Sequence, residues 1–115
     1  LVRRPANVRL GGLWAFPWAV RHRGESVACA AERAAREGLA LAVRAGEEVG
    51  AVDHVFTHVR ATYHAVLCAS RDGEPRPIAY DAFTWVTPTE IAAYALPIAQ
   101  QRIAGLVAAH LAVER

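Results

Sequence analysis

A chain of 115 residues is long enough for one domain whose hydrophobic core needs neither disulfides nor a structural metal. The net charge of +2 does not by itself indicate nucleic-acid binding, although every basic residue other than histidine is arginine, whose planar guanidinium group suits phosphate. No apolar run is long enough to cross a bilayer and we see no secretory signal pattern, which predicts a cytoplasmic protein.

The first half of the sequence predicts two strands and a helix. Residues 1–4 are apolar and then basic, and residues 11–20 combine two glycines with large apolar side chains, so both segments are expected to be extended. Residues 27–39 show apolar positions at helical intervals. Ser26 is a candidate N-cap for this helix, and Gly38 is expected to weaken or end it.

The same region suggests one ion pair and the state of the cysteines. Glu32 and Arg36 are spaced as an i,i+4 pair on the polar side of the helix. Cys29 lies in the helix and Cys68 at a predicted strand end, with no CxxC spacing. Both are therefore expected to be buried free thiols.

The second half begins with extended structure. Residues 41–56 read as extended segments that are interrupted near residues 44–50. Residues 59–67 alternate cleanly, which predicts a strand whose buried face includes Tyr63. Residues 82–86 predict another short strand.

Two helical signals close the sequence. Thr87 can cap a short helix, with Pro88 in the first helical position and Glu90 completing a capping box. The last helix begins at Pro97, and its predicted apolar stripe consists of Ile98, Ile103, Leu106, Val107 and Leu111. The order of elements predicts a mixed α/β fold with helices packed against a sheet, as a single domain over residues 1–115.

Three histidines, His54, His58 and His64, lie close together in the predicted strands. They could bind a ligand, or they could be polar residues on an open sheet face. In strand geometry His58 and His64 share a face but stand about 20 Å apart, too far to share one zinc ion. The spacing argues against a metal site.

The order of a GLWAFP segment, a turn, a helix, long strands and a second helix cap resembles the Nudix hydrolase fold. That family carries a signature of glutamates and an arginine on one helix, and the glutamates hold Mg²⁺ against a pyrophosphate. In the register that fits, Glu25 takes the first glutamate position, Arg33 the arginine and Glu37 the first of two paired glutamates. The resemblance implies an α+β fold, a Nudix-like mixed β-sheet sandwiched between helices.

Other signature positions have lost their residues. The opening glycine, the glutamate after the arginine, the second paired glutamate and the closing glycine are replaced, in that order, by Ala19, Ala34, Gly38 and Ala40. The one signature glutamate left in the helix cannot assemble a magnesium site for pyrophosphate hydrolysis. We therefore expect a scaffold without this activity, in which Arg33 and Glu37 are surface residues or form stabilising pairs.

Three segments taken together resemble the C-terminal domain of MutY-type A/G-specific adenine DNA glycosylases. Residues 2–17 match its opening strands, and residues 53–67 match a strand that follows a His-x-Phe-(Ser/Thr)-His pattern. Residues 83–103 match its end, where a Trp-Val segment, a short helix and a Leu-Pro precede the last helix. The resemblance covers nearly the whole chain.

In that family this domain checks for 8-oxoguanine opposite the adenine that an N-terminal catalytic domain, carrying an iron–sulfur cluster, removes. The resemblance implies that Phe56, Thr57 and His58 reach the lesion, with the Thr57 hydroxyl bonding it. His54 and Arg60 are expected to contact DNA beside them. 8-Oxoguanine presents an N7–H donor where guanine has an N7 acceptor. A hydroxyl group can accept a hydrogen bond from the first or donate one to the second.

The same resemblance implies a non-catalytic piece of a longer bacterial, nucleoid-associated repair protein, with no cofactor of its own and no membrane contact. The expected partners are duplex DNA with 8-oxoguanine:adenine pairs and the catalytic domain. Two alternatives remain open. One is a degenerate or free-standing Nudix protein that binds or hydrolyses nucleoside diphosphate derivatives, and the other is a Nudix-like interaction module without chemistry.

Overall fold

The computed structural model describes residues 1–56, 58–70 and 73–113. In chain order its elements are β1 (Val2–Arg3), β2 (Trp14–Ala15), α1 (Val27–Leu39), β3 (Val43–Phe56), β4 (Val59–Ser70), β5 (Ala82–Phe83), a 3₁₀ helix (Glu90–Ala93) and α2 (Ile98–Val113). The described strands form two antiparallel sheets, β2-β1-β5 and the hairpin β3-β4. The predicted fold class is confirmed. No helix in the described part of the chain is long and apolar enough to span a membrane.

Helix α1 covers the predicted range, and local chemistry explains both ends. Ser26 is the N-cap, and its Oγ accepts a hydrogen bond from the Cys29 N–H at 3.1 Å. The helix ends at Leu39, and its C-cap is Ala40, whose backbone is left-handed (φ 50°). Of the two effects predicted for Gly38, that it ends the helix is wrong, and that it weakens the helix stays a prediction. Gly38 lies buried in the last turn, where an added Cβ would stand 2.8 Å from the Tyr80 ring.

Strands β3 and β4 form one long hairpin. The interruption predicted near residues 44–50 is instead a pair of register shifts, between Ala45 and Glu48 and between Glu48 and Gly50. Such bulges bend a strand without ending it, so β3 runs on to the hairpin turn that contains His58. The hairpin therefore carries Phe56 and His58, two of the predicted reading residues, at its tip.

Two apolar clusters form the core. The first joins α1 to the small sheet and consists of Val2, Ala35, Leu39 and Leu41, with Val43, Tyr80 and Phe83 packed beside them. The second joins the hairpin to α2 and consists of Val52, Ala65 and Ile103, with Phe16, Val49, Tyr63, Leu106 and Val107 around them. Burial of these side chains provides the main driving force that fixes the helices on the sheets. Tyr63 lies against the core, as predicted.

One residue of the predicted α2 stripe and both cysteines depart from the prediction, whereas Ile103, Leu106 and Val107 pack in the core as predicted. Ile98 is 61% exposed, because the first turn of α2 buries Ala99 and Gln100 instead. Gln100 is held inside by a hydrogen bond in which its Oε1 accepts from the Phe16 N–H at 3.0 Å. Cys29 and Cys68 are both exposed free thiols, not buried ones.

The polar contacts of the helices were predicted with mixed success. No ion pair joins Glu32 to Arg36 in the described residues; the Glu32 carboxylate accepts from the Ala45 N–H at 3.0 Å and ties α1 to β3. The predicted capping box is confirmed. The Thr87 N–H donates to Glu90 Oε1 at 3.0 Å and the Glu90 N–H to Thr87 Oγ1 at 3.3 Å.

Candidate functional site

Arg33 on α1 holds both acidic residues of the sequence signature. Its Nε and Nη2 donate to the Glu25 carboxylate at 2.9 and 3.0 Å, and its Nη1 donates to Glu37 at 3.0 Å. Nη2 also donates to the Val20 carbonyl at 2.6 Å, while the His22 N–H donates to Glu25 at 2.9 Å. The bonds from Arg33, and then that from His22, lower the pKa of Glu25 to about 2. Arg33 and Glu37 therefore form an ion pair, and its contribution to stability stays a prediction.

The face of α1 beside this cluster is apolar. Ala34 and Gly38, one turn apart, are both buried. Ala34 lines a cavity of about 860 Å³, whose wall is formed mainly by apolar side chains. Gly38 lies directly beneath the Tyr80 ring. This face therefore offers packing surface where the signature would place carboxylates.

The tip of the β3–β4 hairpin carries two of the predicted lesion-reading residues, Phe56 and His58. His58 is exposed in the turn, and Phe56 ends β3 opposite Val59. Thr57 lies outside the described residues. Arg60, opposite Val55, is exposed at the start of β4. The backbone thus places His58 and Arg60 at the same end of the molecule.

The apolar residues of this tip are unusually open. Val55 and Val59 are 61% and 62% exposed, although they belong to the longest pair of strands. Two valines beside an exposed arginine and histidine make a mixed apolar and basic tip. Such a surface suits a partner that offers both phosphates and flat apolar faces.

His54 lies farther from the tip and faces a smaller cavity of about 310 Å³. Cross-strand pairing with Ala61 puts His54 on the same side of the hairpin as Tyr63, two residues along β4. The other polar and aromatic residues of the wall include Arg4, Arg9, Trp18 and Gln100. No motif in the sequence predicts this cavity, because its wall comes from four segments that are distant along the chain.

The wall of this smaller cavity contains aromatic and cationic groups that contact one another. The Arg4 guanidinium lies 5.6 Å from the centre of the Trp18 ring, a cation–π contact. The Trp18 and Tyr63 rings meet edge to face, 6.5 Å apart. Arginine donors next to flat rings are the groups that recognise planar, anionic ligands such as nucleotides.

His64, the third histidine, belongs to a different place. Its Nδ1 lies 2.8 Å from Glu48 Oε1, at the register shift of the hairpin. The three histidines are not gathered into one group, and the described residues contain no cluster of three or more metal-ligating side chains.

Comparison with known proteins decides the family. Residues 1–105 match the NUDIX domain family. The chain belongs to this family. Among solved structures, the NUDIX chain is similar to the E. coli ORF135 protein, with 26% identity, a TM-score of 0.82, and coverage of 97% of this chain and 80% of that one. It also shares its fold with a MutT protein from Methanosarcina mazei Go1, at 19% identity and a TM-score of 0.75, covering 90% of this chain and 78% of that one. Among curated proteins none matches.

The magnesium ion implied by the NUDIX signature does not fit the residues present. Magnesium in hydrolytic sites needs several carboxylate oxygens around it. Here Ala34 and Gly38 supply none, and the Tyr80 ring stands where a side chain at position 38 would begin. Glu37 remains, already bonded to Arg33. This NUDIX domain therefore keeps the fold of the family without its full set of metal ligands.

Proposed function

We propose that this NUDIX domain is a recognition domain without hydrolytic activity, which binds duplex DNA and checks for 8-oxoguanine opposite an adenine. A separate catalytic domain of the same repair protein, an adenine DNA glycosylase, would remove that adenine. The observation that carries the proposal is the contrast between two parts of the molecule. The signature helix has Ala34 and Gly38 where two signature carboxylates would stand, while Phe56 ends β3 and His58 is exposed in the turn before β4.

The character of the tip supports DNA as the partner. His58 and Arg60 are exposed and can donate hydrogen bonds to phosphate oxygens or base edges. The exposed Val55 and Val59 can pack against sugar or base faces. A hairpin of this length can reach into a groove while the rest of the domain lies on the backbone.

The arginines near the smaller cavity support the same partner. Arg4 and Arg9 line that cavity together with His54. A second basic region on the side of the hairpin that carries His54 gives the domain another phosphate contact besides the tip.

Fluorescence anisotropy with two labelled duplexes tests the proposal. The duplexes differ only in 8-oxoguanine:adenine against guanine:adenine. The wild-type chain is expected to bind the first about tenfold more tightly or better, because each lost base contact costs roughly 1–3 kcal/mol. The double variant Thr57→Ala, His58→Ala should lose this preference. Exposed His22, far from the tip in sequence, provides the matched control His22→Ala, which should keep it.

The variant Arg60→Ala distinguishes overall affinity for DNA from the preference for 8-oxoguanine. Because Arg60 is assigned to phosphate, its loss should weaken binding to both duplexes by a similar factor. Arg36→Ala removes the same charge from the exposed side of α1 and should leave both affinities nearly unchanged. Equal binding of both duplexes by the wild-type chain would contradict the reading role.

The smaller cavity favours a second candidate, the binding of free nucleotides. Its volume of about 310 Å³ and its wall of Arg4, Trp18 and Tyr63 suit one nucleobase. Titration with 8-oxo-dGMP and dGMP, followed by tryptophan fluorescence, tests this candidate. Tight nucleotide binding that a Tyr63→Ala change abolishes, without any duplex binding, would favour it over the DNA proposal. Turnover of nucleoside diphosphate derivatives by the wild-type chain would restore the hydrolytic alternative.

A further inference from the structure

Residues 75–81, here called the strap, cover the C-terminal end of α1. The Arg76 N–H donates to the Leu39 carbonyl at 2.7 Å, and the Ile78 N–H donates to the Gly38 carbonyl at 2.9 Å. The last carbonyls of a helix have no partner within it, so these bonds satisfy groups that would otherwise need water or side chains. The strap is thus fixed to the last turn of the helix by its backbone.

The strap places Tyr80 on the face of α1 that carries position 38. A Cβ added to Gly38 would stand 2.8 Å from Tyr80 Cε2, closer than side-chain carbons normally approach. The ring is packed in the apolar cluster that includes Leu39, and its hydroxyl accepts a long hydrogen bond from the Trp18 N–H at 3.4 Å. Because the ring is held from two sides, moving it aside disturbs both contacts.

Position 34 differs from position 38 in its surroundings. Ala34 lines the cavity of about 860 Å³, so a longer side chain there has space. Gly38 has a ring against it instead. A carboxylate side chain therefore has space at position 34 but meets the Tyr80 ring at position 38.

We propose that Tyr80 and the strap occupy the volume that the second paired glutamate of the NUDIX signature would need. The helix is then closed to a divalent cation by packing as well as by the loss of carboxylates. Restoring the carboxylates alone does not reopen the site while the Tyr80 ring remains.

A double-mutant cycle between Gly38→Ala and Tyr80→Ala, followed by thermal unfolding, tests the steric part of this proposal. Alanine is the better helix former, so Gly38→Ala should raise the melting temperature when Tyr80 is absent. With Tyr80 present, that gain should be lost or reversed. The matched control is Gly105→Ala in α2, where nothing lies near an added Cβ and the gain should not depend on Tyr80. A gain from Gly38→Ala that is the same in both backgrounds would overturn the proposal.

Titration with Mn²⁺ alone, followed by electron paramagnetic resonance, tests the metal part. The variant Ala34→Glu, Gly38→Glu should bind no more Mn²⁺ than the wild-type chain. Adding Tyr80→Ala to it should create binding, with circular dichroism confirming that both variants are folded. Equal Mn²⁺ binding by the two folded variants would overturn the proposal, and so would the absence of binding in the folded triple variant.

Discussion

At the scale of single residues, Ala40 is a position where a departure from the signature lowers the stability of the domain. It takes the closing glycine position and adopts a left-handed backbone (φ 50°), which a side chain disfavours. Ala40→Gly should therefore stabilise the domain by about 1 kcal/mol. Urea denaturation measures the change, and Ala108→Gly in the exposed middle of α2 serves as the control, which should destabilise by about 1 kcal/mol. A destabilising Ala40→Gly would show that this end of the helix is not strained.

Ionisation of Glu25 makes the stability of the fold depend on pH. Its bonds to Arg33 lower its pKa to about 2 in the folded state, from an ordinary value of 4.5. A carboxyl whose pKa is lowered by folding stabilises the folded state at pH values above its pKa in the unfolded chain. This stabilisation is lost as the pH falls through its pKa in the folded protein.

The matching experiment compares Glu25→Gln with the wild-type chain across pH. The variant should be less stable near neutral pH, and the difference should shrink between about pH 4.5 and about pH 2. Urea midpoints at several pH values measure it, with Glu74→Gln at an exposed position as control. A difference that does not vary with pH would show that the pair with Arg33 is not its source.

At the scale of elements, α1 depends on its cap. The Ser26 hydroxyl satisfies the Cys29 N–H, one of four that the helix leaves without an internal partner. Ser26→Ala should cost about 1 kcal/mol, because alanine cannot accept this bond. Chemical denaturation measures the cost. The exposed Ser70 at the end of β4 provides the comparison, since Ser70→Ala should change stability by less than about 0.5 kcal/mol. Equal effects of the two changes would contradict the cap assignment.

Local signals in the sequence predicted those elements that depend on local chemistry. The bounds of α1 follow from the Ser26 cap and a helical apolar pattern, and the capping box at Thr87 was read from four residues. The strand predicted over residues 11–20 is reduced to Trp14–Ala15, because only there does a partner strand run beside it. A short apolar run cannot reveal where its partner ends.

Contacts between segments that are distant along the chain could not be predicted from the sequence. The Ile98 prediction failed since helical periodicity gives the apolar residues of α2 but not which of them the hairpin covers. The sequence predicts that Gly38 weakens or ends the helix, whereas in the structure the Tyr80 ring on the strap leaves no room for a side chain at this position. In the same way, the wall that Arg4, Trp18 and Tyr63 build appears only once the chain is folded.

At the scale of the whole molecule, binding of this NUDIX domain to DNA through phosphate contacts should depend on salt concentration. Each phosphate contact makes the logarithm of the affinity fall with the logarithm of salt concentration, by roughly 0.9 per contact on duplex DNA. Arg60→Ala should reduce this slope by about 1, and Arg36→Ala should not change it. Anisotropy titrations at several salt concentrations measure the slopes. An unchanged slope in Arg60→Ala would remove Arg60 from the DNA contacts.

We propose that this NUDIX domain recognises an oxidised guanine in DNA and does not hydrolyse pyrophosphates. The most direct measurement is the ratio of the two dissociation constants of the wild-type chain, for a duplex with 8-oxoguanine:adenine and for the same duplex with guanine:adenine. The lesion-containing duplex is expected to bind about tenfold more tightly or better. Two equal dissociation constants would contradict it.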